Sequence, residues 1–139
     1  MPDPVPPRNP TMNIAASALR AQQSRMRIIA ENIANAQSTA LVAGGEPYRR
    51  QMPVFQTRAL DGGTGVQLAA VRPDMGEFRS EYDPSHPAAN EAGYVMRPNV
   101  DTLVEAMDMR EAQRAYEANL NVIETARSMD TRILDLLKR

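Results

Sequence analysis

Cysteine is absent from all 139 residues. Disulfides, thiolate nucleophiles and cysteine-ligated metals are therefore excluded, and cysteine usage says nothing about the compartment. Tryptophan is absent as well, and the aromatic share is only 4%, with Phe55 and Phe78 the two phenylalanines. Aromatics carry the largest buried area per residue, so a compact core built from this chain would be modest. Neither sign of charge dominates: the formal net charge is −1. That gives no general attraction to nucleic acid or to an anionic membrane. No apolar run approaches the roughly 20 residues needed to span a bilayer. The start, "MPDPVPPRNPT", is proline-rich and lacks an apolar core segment, so a cleaved secretory signal is not expected. Hydrophobic residues nevertheless make up 42% of the chain, which argues against wholesale disorder.

Glycine and proline are unevenly spread. All seven glycines lie between Gly44 and Gly93, and all eleven prolines lie up to Pro10 or between Pro47 and Pro98. The stretches Thr11–Ala43 and Asn99–Arg139 contain neither, and these are the helix candidates. In the first, Met12, Ala15, Leu19, Gln22, Met26, Ile29, Ile33 and Ala36 follow alternating steps of three and four, a heptad-like seam with one polar interruption at Gln22. In the second, Ala115, Asn119, Val122, Ala126, Met129, Ile133 and Leu136 form one seam, which Tyr116, Leu120, Ile123, Leu134 and Leu137 widen towards a second face. Asn99 after Pro98 is a reasonable N-cap. Glu111–Arg114, Glu124–Arg127 and Asp135–Lys138 are spaced for supporting ion pairs. A single helix over Asn99–Lys138 would be about 60 Å long at ~1.5 Å per residue. A compact globule of this chain length is only about 37 Å across. An elongated molecule with seams that need partners beyond its own chain is therefore expected.

The middle reads as β structure. "EPYRRQMPVFQTR", "GVQLAAV", "EFRSEY" and "YVMR" are strand candidates, with turns at "GGTG" and "RPDMG". Pro53 inside the first run predicts an edge strand or a bulge.

Residues that could carry chemistry are few. His86 lies near Asp83, Asn90 and Glu91, but prolines flank it closely and no second histidine exists. A loop histidine held by local hydrogen bonds is the preferred reading over a metal or acid–base site. Arg49, Arg50 and Arg58 do not make a nucleic-acid surface in a chain that is not basic overall; a solvated or subunit-contacting face is expected. "GGTG" lacks the lysine and hydroxyl residue of a phosphate loop. Met26, Met107, Met109 and Met129 read as adaptable packing. No cofactor, metal, nucleic acid or small-molecule substrate is expected, and no enzyme activity.

Four segments in order carry a resemblance. "SALRAQQSRMRIIAENIANAQST" and "MDMREAQRAYEANLNVIETARSM" resemble the N- and C-terminal signatures of the bacterial flagellar axial proteins of rod and hook. "GGEPYRR" and "YDPSHPAANEAGYVMRPNV" resemble the proximal-rod members in particular. The resemblance runs from Met12 nearly to the end. Residues 1–11 and the rather apolar linker "ALVAGG" depart from it. It implies an elongated α+β fold: a proline-rich extension (1–11), an N-terminal axial helix and linker (12–43), a β-rich segment (44–98) and a C-terminal axial helix (99–139). The two long helices would pair as a coiled coil.

The function implied is that of a structural subunit of the proximal rod of the flagellar basal body. Such a subunit polymerises with other rod proteins and copies of itself into a helical tube that transmits torque and encloses the export channel. A membrane-ring or export-gate adaptor would sit at the base of the rod, in the periplasmic space. Export would use the flagellar type III apparatus. The assembly interface implied on the first helix is Leu19, Met26, Ile29, Asn32, Ile33 and Asn35. The small alanines between the amides would admit neighbouring helices closely, with Asn32 and Asn35 bonding across chains or closing the helix end. On the second helix it is Tyr116, Asn119, Leu120, Val122, Ile123, Met129, Ile133 and Leu136. The helices alone would also permit a cytoplasmic coiled-coil adaptor, but that reading leaves the central segments unexplained.

Overall fold

In the computed structural model, which describes residues 9–138, the first helix begins inside the proline-rich segment. Helix α1 spans Pro10–Ala34. The Asn9 side chain accepts from Thr11 N at 3.0 Å and caps the helix. Pro10 takes a first-turn position, where its missing N–H would have no partner anyway. The first eight residues of the expected extension lie outside the described residues.

Helix α1 stops well short of Ala43. Asn35 ends it: its side-chain amide donates to Glu31 O at 2.8 Å, and the backbone tightens through Ala36 N to Ile33 O and Ser38 N to Asn35 O. No proline or glycine is needed for this, which is why their distribution alone overextends the helix. The linker beyond exposes Leu41 and Val42 to solvent.

Strands β1 (Gln51–Leu60) and β2 (Gly63–Pro73) form an antiparallel ribbon, paired from Gln51↔Pro73 to Leu60↔Gly63. A register shift falls between Val54 and Phe55, directly after Pro53, as a proline that withholds a ladder donor predicts. The turn sits one residue earlier than "GGTG" suggests, at Asp61-Gly62, where Gly62 adopts φ +83°. A two-residue Asp-Gly loop suits the twist of a hairpin. Strands β3 (Arg79–Tyr82) and β4 (Tyr94–Arg97) form a second, short antiparallel pair. It ends in Tyr82 and Tyr94 rings packed edge to face at 5.2 Å.

Helix α2 runs unbroken over Thr102–Leu137, 36 residues, or about 54 Å at ~1.5 Å per residue. Its cap is Asp101, which accepts from Leu103 N and Val104 N, and not Asn99. Asn99 is occupied elsewhere: it accepts from Arg50 N at 2.8 Å and donates to Asp74 O at 3.0 Å.

The helices pack against each other along their length. They run antiparallel: Asn9 Nδ2 donates to Asp130 Oδ2 at 3.1 Å near one end, and Arg25 pairs with Glu111 at 3.5 Å further along. Glu111 thus reaches across to α1 and not along its own helix to Arg114. The ribbon lies on another face of α1. Ser17 Oγ accepts from Val66 N at 3.2 Å and donates to Ile14 O at 2.7 Å. A Cβ at Gly65 would stand 2.6 Å from Ser17 Oγ, so only glycine lets the strand come this close. The fold is α+β: two helices with small antiparallel β pairs between them in sequence.

Candidate assembly interface

Helix α1 carries two buried lines. Ser17, Ala21, Ile28 and Asn32 are buried on the ribbon side. Ala15 and Ile29 are buried on the remaining line, with Met12, Leu19, Gln22 and Met26 half-buried, and this is the expected seam, turned to α2. Ile33, at 38% exposed, lies where that seam opens to solvent. The two amides that end the helix part company. Asn35 closes the helix. Asn32 is buried and committed within its own chain: it accepts from Tyr48 Oη at 2.7 Å and Gln51 N at 2.9 Å, and donates to Gln51 O at 2.8 Å.

On α2, the residues turned inward are Glu105, Ala112 and Ala126, all buried, with Met109, Tyr116, Asn119, Ile123 and Asp130 half-buried between and after them. Their steps alternate four and three. Leu120 is half-buried beside them, and Asn119 bonds back to Ala115 O at 2.8 Å. The apolar residues Val122, Met129, Ile133 and Leu136 follow the same steps but sit about a quarter-turn round the helix. They remain 43%, 57%, 53% and 69% exposed. Both faces carry apolar residues at one period, so spacing alone cannot say which of them meets α1. Between the start of α1 and the outward face lies a groove of about 310 Å³, lined by Thr11, Asn121, Val122, Thr125, Ala126 and Met129. Covering each of those four large side chains would contribute about 1 kcal/mol or more from the apolar area still in water.

A polar joint lies at the opposite end. Arg50 precedes β1 directly, and its guanidinium meets Glu105 in the first turn of α2, Asp74 at 3.4 Å and Asp108 at 3.8 Å. Burial alone would lower the Arg50 pKa, but the hydrogen bond and charge of Glu105, then of Asp74, outweigh it and raise it. Arg49 donates to Asp74 O at 2.8 Å and Gly76 O at 2.9 Å and lies over the Phe78 ring at 4.1 Å. Of the solvated or subunit-contacting face expected for them, the solvated form does not hold for Arg49 and Arg50, whose guanidinium groups are engaged within the chain. One sequence signal pointed here: Glu105 stands seven residues before Ala112 and fourteen before Asn119, a charged residue at a seam position. The Tyr48 pKa is raised, first by burial and then by the charges of Glu31 and Glu105.

His86 has the local role expected of it, its Nδ1 accepting from Ala88 N at 3.0 Å. Among the described residues no group of three or more His, Asp or Glu side chains is arranged to hold a metal, and no helix is long and apolar enough to cross a membrane.

Comparison with known proteins identifies the family. Residues 12–40 match the family model described as flagella basal body rod protein, and residues 91–136 that of the flagellar basal body rod FlgEFG protein C-terminal. The chain is 46% identical to the flagellar basal-body rod protein FlgC of Agrobacterium fabrum, covering 95% of this chain and 96% of that one. It is 41% identical to FlgC of Escherichia coli O6:H1, covering 89% and 93%. It is 35% identical to FlgC of Bacillus subtilis, covering 92% and 97%. That family is structural and not a family of enzymes. The chain belongs to the flagellar basal-body rod protein FlgC family, as a structural subunit of the rod.

Proposed function

We propose that this subunit packs, with other rod proteins and copies of itself, into the proximal rod, a helical tube that transmits motor torque and encloses the export channel. The observation that carries this is the outward line Val122, Met129, Ile133 and Leu136 on α2. Four large apolar side chains on one face of a helix are the anchors of helix-in-groove and helix-bundle contacts. In this reading α1 and α2 pair as a coiled coil, and the outward line is the side that the next subunit covers. Leu120 belongs to the rim of that contact, whereas Ile33, near the other end of the helix pair, belongs to a separate one. The base of the rod meets a membrane-ring or export-gate adaptor. The rod stands in the periplasmic space, and the subunit travels through the flagellar type III apparatus.

Deleting the gene and complementing it tests the whole reading. Loss of swimming together with loss of the rod in purified basal bodies, restored by the wild-type gene, is the expected outcome. Complete hook–basal bodies in the deletion strain would remove it. Cysteine pairs introduced at Val122 and at candidate neighbouring subunits, cross-linked in intact rods, would identify the partners.

A further inference from the structure

Glu105 is completely buried, on the first turn of a helix whose partner-facing line is otherwise largely alanine and apolar residues. Its Oε1 is bound by Arg50, while its Oε2 has no partner among the described residues. A site selected for stability alone would not look like this. A buried ion pair is at best about neutral against well-packed apolar side chains of the same volume.

What an ion pair has and an apolar contact lacks is direction. Hydrophobic burial follows area and is indifferent to angle. A guanidinium is a rigid planar fork whose donors are satisfied in few geometries. Here the fork is shared among three carboxylates from two places in the fold: Glu105 and Asp108 on α2, and Asp74 immediately after β2. The backbone of the same residue is also fixed. Arg50 N donates to Asn99 Oδ1 at 2.8 Å, and its carbonyl accepts from Asp74 N at 2.8 Å. Two residues away, Tyr48 binds Asn32 near the end of α1. The base of the β1–β2 ribbon is therefore held by directional bonds to both helices. Further along, its seat on α1 rests on small residues in close contact, Gly65 on Ser17, with one bond from Val66 N to Ser17 Oγ at 3.2 Å.

We infer that Arg50 and Glu105 are positioning residues that set the angle between the ribbon and the helix pair. They thereby fix the placement of the ribbon relative to the outward line of α2, the surface that the next subunit covers. The consequence for assembly rests on the rod reading above; the angular role does not.

Because the chain has no cysteine, two spin labels can be introduced cleanly at exposed positions, Thr57→Cys on β1 and Arg114→Cys on α2. Pulsed electron–electron resonance on the isolated subunit then reads the ribbon-to-helix distance directly. In the wild-type background a single narrow distribution is expected. The pair Arg50→Met with Glu105→Met should keep or raise the thermal midpoint, broaden the distribution at least twofold, and abolish swarming in a strain whose own copy is deleted. A narrow, unshifted distribution in that variant would overturn the angular role. A broad one with normal swarming would overturn its importance for assembly.

Should the double variant not fold, Arg50→Lys answers the same question. It retains the charge but loses the fork, so the folded variant should show the broadened distribution, and an unchanged one refutes the inference. Complementation by the unlabelled wild-type gene checks the rod assignment separately from all of these.

Discussion

Asn32 and Gln51 are joined by two hydrogen bonds, side-chain amide to backbone carbonyl at 2.8 Å and backbone N–H to side-chain oxygen at 2.9 Å. A helix side chain here takes the part of a neighbouring strand. Asn32→Leu keeps the volume but strands the Gln51 backbone and the Tyr48 hydroxyl. Leaving buried groups unpaired costs about 1–3 kcal/mol each, so a loss of about 2–4 kcal/mol in urea unfolding is expected. Asn32→Asp retains the acceptor but not the donor and should fall between the two. An Asn32→Leu chain as stable as wild type would show that these bonds hold nothing.

Tyr48 makes stability depend on pH at the alkaline end. Its folded pKa is raised above the ordinary value of 10.0, so the unfolded chain gives up the proton first. Its contribution is fully present below about pH 10 and is lost as pH rises through the higher folded value. Urea midpoints measured between pH 8 and 11.5 should therefore be flat at first and then fall. In Tyr48→Phe the part of that fall due to this residue should vanish, and the variant should be about 1 kcal/mol weaker at neutral pH for want of one hydrogen bond.

The two faces of α2 should answer differently to charge. Met129→Asp and Ile133→Asp alter exposed side chains, so the isolated subunit should unfold within about 0.5 kcal/mol of wild type. Rod formation and swimming should nevertheless be lost, since a charge in a covered apolar contact is costly unless paired. Leu120→Asp, on a half-buried residue, should weaken the isolated subunit as well, by about 2 kcal/mol. Normal rods from both exposed variants would leave this face in solvent.

Truncations at the start should show a sharp step. Removing residues 2–8 leaves Asn9 to cap α1 and to bind Asp130, and the thermal midpoint and swimming should be retained. Extending the deletion through Asn9 removes the cap and its link to α2, with a loss of about 1 kcal/mol. Calorimetry of both truncations and a swim assay check this.

How much of this could be read from the residues depends on range. The unbroken α2, the strands around "GVQLAAV" and "YVMR", and the irregularity at Pro53 are local consequences of propensity and of a missing donor, and they were legible. The seam of α1 was legible too, because its period repeats over many turns. The end of α1 was not, since it depends on one asparagine folding back onto Glu31 O. Which apolar line of α2 meets α1 was also hidden, because rotation about a helix axis leaves its period unchanged. The Arg50 joint joins residues up to 58 positions apart, a separation at which no pattern in one chain announces a pair.

The antiparallel helices have one further consequence. Asn9 and Asp130 stand side by side, so the described chain starts and finishes at one pole. The connections 38–46 and 83–93 lie at the other, touching where Gly44 N meets Ala88 O at 3.1 Å. Sequence inserted into either connection would add bulk at the far pole while the helix pair keeps its length, its seam and its outward line. The molecule is thus a handle with a replaceable head. Chains of different girth could be drawn from one such handle by lengthening a loop, with the helix pair left as it is.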